Sequence, residues 1–238
     1  MENCNFIIIL GDFQENTLKI LHSICDFFEL NGDIYTPRPG NQRSQSIDPT
    51  ENLTIKLFDW DNFIIFFKNE SSLERKEVVI MFSPEFNLAE QFQKLFTVRE
   101  RFPLNIAKIV AIIDYRYFDG HHENLLDAMA YFSDILLIDN HFEIDRDRLK
   151  KFLEHCKQKE RYPLPIKIIA QYSVKNVSEL LDDQPRRMTL IFDDLDPIDF
   201  IEEDMVDSAP FTIPTLAQRD KYLKQDDHGR YYSPIELL

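Results

Sequence analysis

The chain is short of glycine. Five glycines in 238 residues leave few places where the backbone can take a positive φ or come close to a ligand. This disfavours the glycine-rich loops that wrap phosphates and dinucleotides. Cysteine is as sparse: Cys4, Cys25 and Cys156 are scattered and form no CxxC pair, so a disulfide framework is excluded and a reducing compartment fits best. Cys25 and Cys156 fall on apolar helical faces and are expected to be buried small hydrophobes. Long hydrophobic runs are missing. The apolar stretch at 6–10 is too short to span a bilayer and follows no basic segment, so cytoplasmic residence is the expectation. Positive charge is deficient as well. The formal net charge of −15 opposes binding to nucleic acid or to anionic membranes, which both select basic surfaces.

What is present is ample core material. Apolar residues make up 44% of the chain, with 20 phenylalanines, enough for one large α/β domain with an appendage. The charge is uneven. Residues 179–238 hold 15 acidic and 6 basic side chains, so the C-terminal quarter reads as a different kind of segment. The expected division is a domain over 1–172 and an acidic extension over 173–238, packing on that domain or on a partner. Within the extension, Ile198, Phe200, Ile201, Met205 and Val206 interleave apolar groups with the acids, as suits a draping arm. Met188–Phe192 is a candidate strand, and Tyr231–Ile235 a docked extended tail.

Short, continuously apolar runs recur at Phe6–Leu10, Val78–Phe82, Ile109–Ile113, Ile135–Ile138 and Ile166–Ala170. Such runs suit parallel strands covered on both faces. Helical patterns lie between them: Leu18, Leu21, Cys25 and Phe28 share one face, and Asn87 with Glu90 forms a capping-box signal. Leu125, Leu126, Met129 and Ala130 mark a third helix, and Asp145 is a candidate N-cap for a fourth. Thr54–Phe58 and Phe63–Phe67 read as a hairpin turning at Asp59-Trp60-Asp61-Asn62. Residues 31–51, with Pro37, Pro39 and Gly40, read as a long loop. The expected architecture is a three-layer α/β domain, a mostly parallel sheet with helices on both faces.

The first strand runs into Gly11-Asp12-Phe13-Gln14-Glu15-Asn16-Thr17 and then a helix. A phosphate-binding P-loop belongs at such a junction, and it needs several glycines and a lysine. Here one glycine remains, no lysine is present, and Asp12 and Glu15 would each repel a triphosphate by roughly 1–4 kcal/mol at contact range. The helix N-terminus still favours an anion. Asp12 or Glu15 is expected to satisfy it internally, as a cap does, in place of phosphate.

The order of elements resembles the nucleotide-binding domain of the CobW/UreG/HypB class of P-loop GTPases, of the SIMIBI group, over roughly residues 5–170. Phe6–Leu21 is similar to the segment GFLGAGKTTLLN, with Thr17-Leu18 kept and Glu15 near the lysine position. VVIMFSPEFNLAEQF, from Val78, is similar to the strand ending in ETSG, with Ser83 kept and Pro84 in place of glycine. IVAIIDYRYF, from Ile109, resembles VVTVVDAxxF, with Asp114 at the strand end. SDILLIDNHFEIDRDRL, from Ser133, resembles ADxIxLNKxDLxxxxxL, so Asn140-His141-Phe142-Glu143 stands where Asn-Lys-x-Asp reads guanine. The CxCC metal motif of CobW proteins is absent.

The resemblance implies a nucleotide site built from Gly11, Glu15, Asn16, Thr17, Ser83, Asp114, Asn140 and Glu143, in degenerate form. Glu143 is one methylene longer than the aspartate that pairs with guanine, which spoils a bidentate geometry. The leading expectation is a pseudo-GTPase without cofactor or catalytic residues, acting on a protein partner through the C-terminal extension or the 31–51 loop. The alternatives are a divergent metallochaperone-type GTPase using GTP or GDP with Mg²⁺, and a metal-binding domain. For the last, His121-His122-Glu123 is the dense candidate cluster, with His141 as a further donor. Consecutive ligands converge poorly on one ion, and a solvated helix start is the plainer reading.

Overall fold

Parallel strands need long crossovers and cover on both faces, and the alternation of apolar runs with amphipathic helices supplies both. The computed structural model of the chain describes residues 4–12, 15–27, 32–37, 53–58, 77–84, 87–99, 104–139, 145–169, 172, 174, 184–189, 220–222, 224–225, 227 and 231–232. The strands are β1 (Cys4–Leu10), β2 (Gly32–Pro37), β3 (Leu53–Phe58), β4 (Glu77–Phe82), β5 (Leu104–Ile113), β6 (Ile135–Asp139) and β7 (Ile166–Ile169). They form one sheet in the order β3-β2-β4-β1-β5-β6-β7, with every pairing parallel. The short strands β8 (Lys224–Gln225) and β9 (Tyr231–Tyr232) make a separate antiparallel ladder. The helices are α1 (Glu15–Phe27), α2 (Leu88–Arg99), α3 (Glu123–Phe132) and α4 (Arg146–Glu154), the last continued by a wider turn over His155–Lys159.

The sheet divides the core in two. On one face Ile9, Val79, Met81, Val110, Ile112 and Leu137 meet Ile20, Leu21 and Ile24 of α1. On the other, residues of alternate parity from the same strands meet α2, α3, Phe152 and Cys156. This is the expected three-layer arrangement. Burial pushes the Cys156 thiol up to about 12. The helix starts follow their caps: Asn87 Oδ1 accepts from Glu90 N at 3.1 Å, and Asp145 accepts from the amides of Asp147 and Arg148.

The structure differs from expectation around the outer strands. Leu53–Phe58, expected in a hairpin, pairs on one edge in parallel with Gly32–Pro37, in register Ile34↔Ile55. The loop expected over 31–51 accordingly contains a strand, whose Ile34, Tyr35 and Thr36 are buried. Gly32, Asp33 and Pro37 flank this short buried stretch, and those turn-forming residues obscured it in the sequence. The proposed second arm, Phe63–Phe67, lies outside the described residues. Met188 and Thr189 are not part of a strand, and the rest of 188–192 lies outside the described residues.

Parts of the C-terminal segment join the domain through buried carboxylates. Asp134, 1% exposed at the start of β6, accepts from Ile109 N at 2.8 Å, Arg186 N at 2.6 Å and Arg187 N at 3.1 Å. The Arg187 guanidinium pairs with it at 3.1 Å. Thr189 Oγ1 donates to Asp220 at 2.6 Å. Lys221 Nζ lies 2.7 Å from Asp127 and 3.2 Å from Glu160, while Tyr222 packs its ring against Tyr131 and Phe132. Asp127 also accepts from the Tyr162 hydroxyl at 2.7 Å and lies 2.7 Å from His155 Nε2.

Arg187→Ala leaves the Asp134 charge buried without its cation, and such losses cost about 3–5 kcal/mol. Urea unfolding of the variant is expected to show a drop of that order. Tyr131 provides a pH test. Burial first, and the Asp220 carboxylate second, raise its hydroxyl from 10.0 to about 12. A folded-state pKa above the unfolded one gives stability that is complete below pH 10 and is lost as pH rises toward 12. Alkaline urea titration is expected to show this decline, less steep in Tyr131→Phe.

Candidate functional site

In open α/β sheets the crevice for ligands lies beyond the carboxyl ends of the strands, where the strand order reverses. Here the chain leaves β1 for β2, β3 and β4 on one side, then crosses to β5, β6 and β7 on the other. The reversal therefore falls at β1, and its carboxyl end leads into Gly11 and Asp12. Gly11 N donates to Phe82 O at 3.0 Å, tying the ends of β1 and β4 together. A Cβ on Gly11 would stand 3.0 Å from the Thr17 methyl, so glycine at this position lets α1 close on the strand.

That close approach delivers a hydroxyl. Thr17, buried in the first turn of α1, donates from Oγ1 to Asp12 Oδ1 at 2.9 Å. Asp12 is 4% exposed. Its other oxygen, Oδ2, receives Arg116 Nη2 at 3.2 Å and the Tyr117 hydroxyl at 3.4 Å. Arg116 is itself held by Asp114, 2% exposed at the end of β5. Its backbone N and its Nε meet Asp114 Oδ1 at 2.9 and 2.7 Å, and its Nη2 meets Oδ2 at 3.0 Å. One guanidinium thus joins two buried carboxylates from separate strand ends. The hydrogen bond to Asp114, with Coulombic support from Asp114 and Asp12, raises the Arg116 pKa further against the opposing effect of burial. The Arg116 side chain remains 48% exposed.

Asp114 has a second task. Its carboxylate caps the short turn Tyr115–Asp119, which ends at Gly120 with φ +95°. A Cβ there would meet the Arg148 guanidinium at 3.0 Å, and Arg148 Nη1 donates to Phe118 O at 3.1 Å. The turn carrying Arg116 and Tyr117 is therefore fixed at both ends.

Of the residues singled out in the sequence, Gly11, Thr17 and Asp114 meet in this cluster. Asn16, half-buried, precedes Thr17 in the first turn of α1. Ser83 is buried at the end of β4, where its carbonyl accepts from Gln91 Nε2 at 3.0 Å. Glu15 is the first residue of α1, but its side chain, together with Asn140 and Glu143, lies outside the described residues. Sequence reasoning missed Arg116 and Tyr117. The signal available was physical: two acids at adjacent strand ends require a cation once buried, and Arg116 is the nearest base in sequence to Asp114.

The histidine pair is engaged locally. His121 N donates to Asp119 Oδ1 at 2.7 Å, and His122 Nδ1 lies 2.9 Å from the same oxygen. The His121 amide, then the His122 ring, hold the Asp119 carboxyl below its ordinary range. His122 also meets the Tyr117 ring edge-on at 5.2 Å, and Glu123 opens α3 exposed to solvent. Among the described residues no group of three or more His, Cys, Asp or Glu side chains is placed to hold a metal ion. His141 lies outside them. No helix of the described residues is long and apolar enough to cross a membrane.

No protein-family model and no curated protein matches the chain. Among solved structures it is similar to the Zn(II)-bound YjiA GTPase of E. coli, at 10% identity and TM-score 0.48, over 74% of this chain and 60% of that one. It is similar to HypB of Helicobacter pylori in complex with nickel, at 13% identity and TM-score 0.42, over 76% of this chain and 84% of that one. It is also similar to the signal recognition particle receptor FtsY of Elizabethkingia anophelis in complex with GDP, at 12% identity and TM-score 0.45, over 81% and 64% of the two chains. The chain spans about 60% of the length of the YjiA structure. At these identities and TM-scores the likeness is one of α/β fold alone.

Replacing Arg116 tests the cluster. Hydrogen bonds to charged groups contribute about 1.5–3 kcal/mol each, so Arg116→Ala is expected to lose stability of about that size in urea unfolding. Arg116→Lys is expected to recover less than half of it, because a point charge cannot reproduce the guanidinium fork.

Proposed function

We propose that this chain is a pseudo-GTPase: a P-loop-type fold that has given up nucleotide hydrolysis and acts as a protein-binding or regulatory module. The observation that carries this reading is the state of Asp12. Its carboxylate is buried at the β1–α1 junction, in contact with the Thr17 hydroxyl and the Arg116 guanidinium. A phosphate approaching that junction meets a fixed negative charge and finds the hydroxyl and the cation already engaged. Mg²⁺ with GTP fits these residues poorly. Thr17 and Asp114 have the oxygen chemistry a magnesium ion selects, but Thr17 donates its proton to Asp12, and Asp114 holds a guanidinium where a cation would sit.

The partner in this reading is a protein. Its contact surfaces are the acidic stretch 190–219, with apolar residues set among its carboxylates, and the part of the 31–51 segment that follows β2. Thr189 and Asp220, at the two ends of the acidic stretch, are hydrogen-bonded to each other.

Calorimetric titration with GTP and GDP, with and without Mg²⁺, tests the loss of nucleotide chemistry. The expected outcome is no saturable heat in the micromolar range and no phosphate release; micromolar binding with turnover favours the divergent-GTPase reading instead. Replacing residues 190–219 by a short Gly-Ser linker is expected to leave the unfolding temperature of the domain unchanged while abolishing association with a partner that binds the full chain.

A further inference from the structure

Asp12 sits among side-chain donors drawn from two distant parts of the chain. Thr17 in α1 gives a hydroxyl at 2.9 Å, Arg116 a guanidinium nitrogen at 3.2 Å and Tyr117 a phenol at 3.4 Å. Hydroxyl and guanidinium donors gathered on one spot are the means by which proteins hold an oxyanion in charge-assisted hydrogen bonds. In this chain the anion at that spot is a side chain of the protein itself.

The two carboxylates of the cluster are not equivalent. Asp114 caps the turn that carries Arg116 and orients its guanidinium through Nε and Nη2. Asp12 accepts from a single guanidinium nitrogen, at a longer distance. Removing the Asp12 carboxylate therefore leaves Arg116 anchored by Asp114 and Thr17 anchored by α1, with both donors still directed at the vacated position.

We propose that Asp12 is an intramolecular stand-in for a phosphate-type oxyanion, an autoinhibitory contact that closes a latent anion site whose cation is Arg116. This rests on the pseudo-GTPase reading and adds how the site is kept shut. A tethered carboxylate acts at an effective concentration that dilute free ligand does not match, and its charge repels a second anion at the same donors. The half-exposed Arg116 side chain leaves the cation reachable from solvent.

The test is thermal unfolding of wild type, Asp12→Gly and the double variant Asp12→Gly/Arg116→Gln, in sodium pyrophosphate and in sodium chloride of equal ionic strength. Ligand that binds only the folded state raises the unfolding temperature. Asp12→Gly is expected to unfold several degrees higher in pyrophosphate than in chloride, with no such difference in wild type or in the double variant. A response in Asp12→Gly no larger than in wild type overturns the proposal, as does one that persists without Arg116. Should Asp12→Gly fail to fold, Asp12→Ala, which also empties the position, is titrated with pyrophosphate by calorimetry. Binding at least about tenfold tighter than wild type is expected once the Asp12 charge is gone and its position empty, and equal affinity overturns the proposal. GTP binding and turnover by wild type would sink the pseudo-GTPase reading. A wild type indifferent to GTP, together with an unresponsive Asp12 variant, would sink only the stand-in.

Discussion

Burying two carboxylates at the end of a parallel sheet demands a cation, and Arg116 is the answer this chain has adopted. An isolated charge in a low-dielectric interior is too costly to keep ionised. Asp12 and Asp114 are both nearly inaccessible, so the shape of the crevice follows from where a single guanidinium can reach. It comes from the turn after β5 rather than from the loop after β1. One guanidinium is thus shared between two carboxylates, both of them contributed by the ends of neighbouring strands.

A similar logic holds the C-terminal residues to the domain. Asp134, Asp127 and Asp220 each engage donors from segments remote in sequence. The acidity of the chain is thus not only a surface property. Several of its carboxylates are buried acceptors, and the basic residues of the last quarter include two, Arg187 and Lys221, that are spent on them. The remaining negative charge of that quarter lies largely in stretches between these attachment points.

How much of this was legible in the sequence differs by range of interaction. The strands at Phe6–Leu10, Val78–Phe82, Ile109–Ile113 and Ile135–Ile138, and the caps Asn87 and Asp145, are fixed by neighbours a few residues away, and their patterns carry them. Leu53–Phe58 was legible as a strand but not as a parallel one, because a short apolar run does not state the direction of its partner. Gly32–Pro37 was hidden by its own flanking glycine and prolines. In the site, Gly11, Thr17 and Asp114 were visible at strand and helix ends. The contact of Arg116 with Asp12 spans 104 positions, and that of Arg187 with Asp134 spans 53. No periodicity encodes such pairs; only the demand of a buried acid for a cation points toward them.

The register of the central strand bears on how the molecule is made. Cys4 of β1 lies beside Leu104 of β5, and Asn5 beside Glu77 of β4. During synthesis β1 must therefore wait for 72 and then 100 further residues before its flanking neighbours exist. Non-local pairings of this kind slow folding and leave apolar edges bare in the interval. Ile7, Ile8 and Ile9 are the residues bared, which makes the interval before β4 and β5 emerge the stage at which this protein most needs shelter by a chaperone.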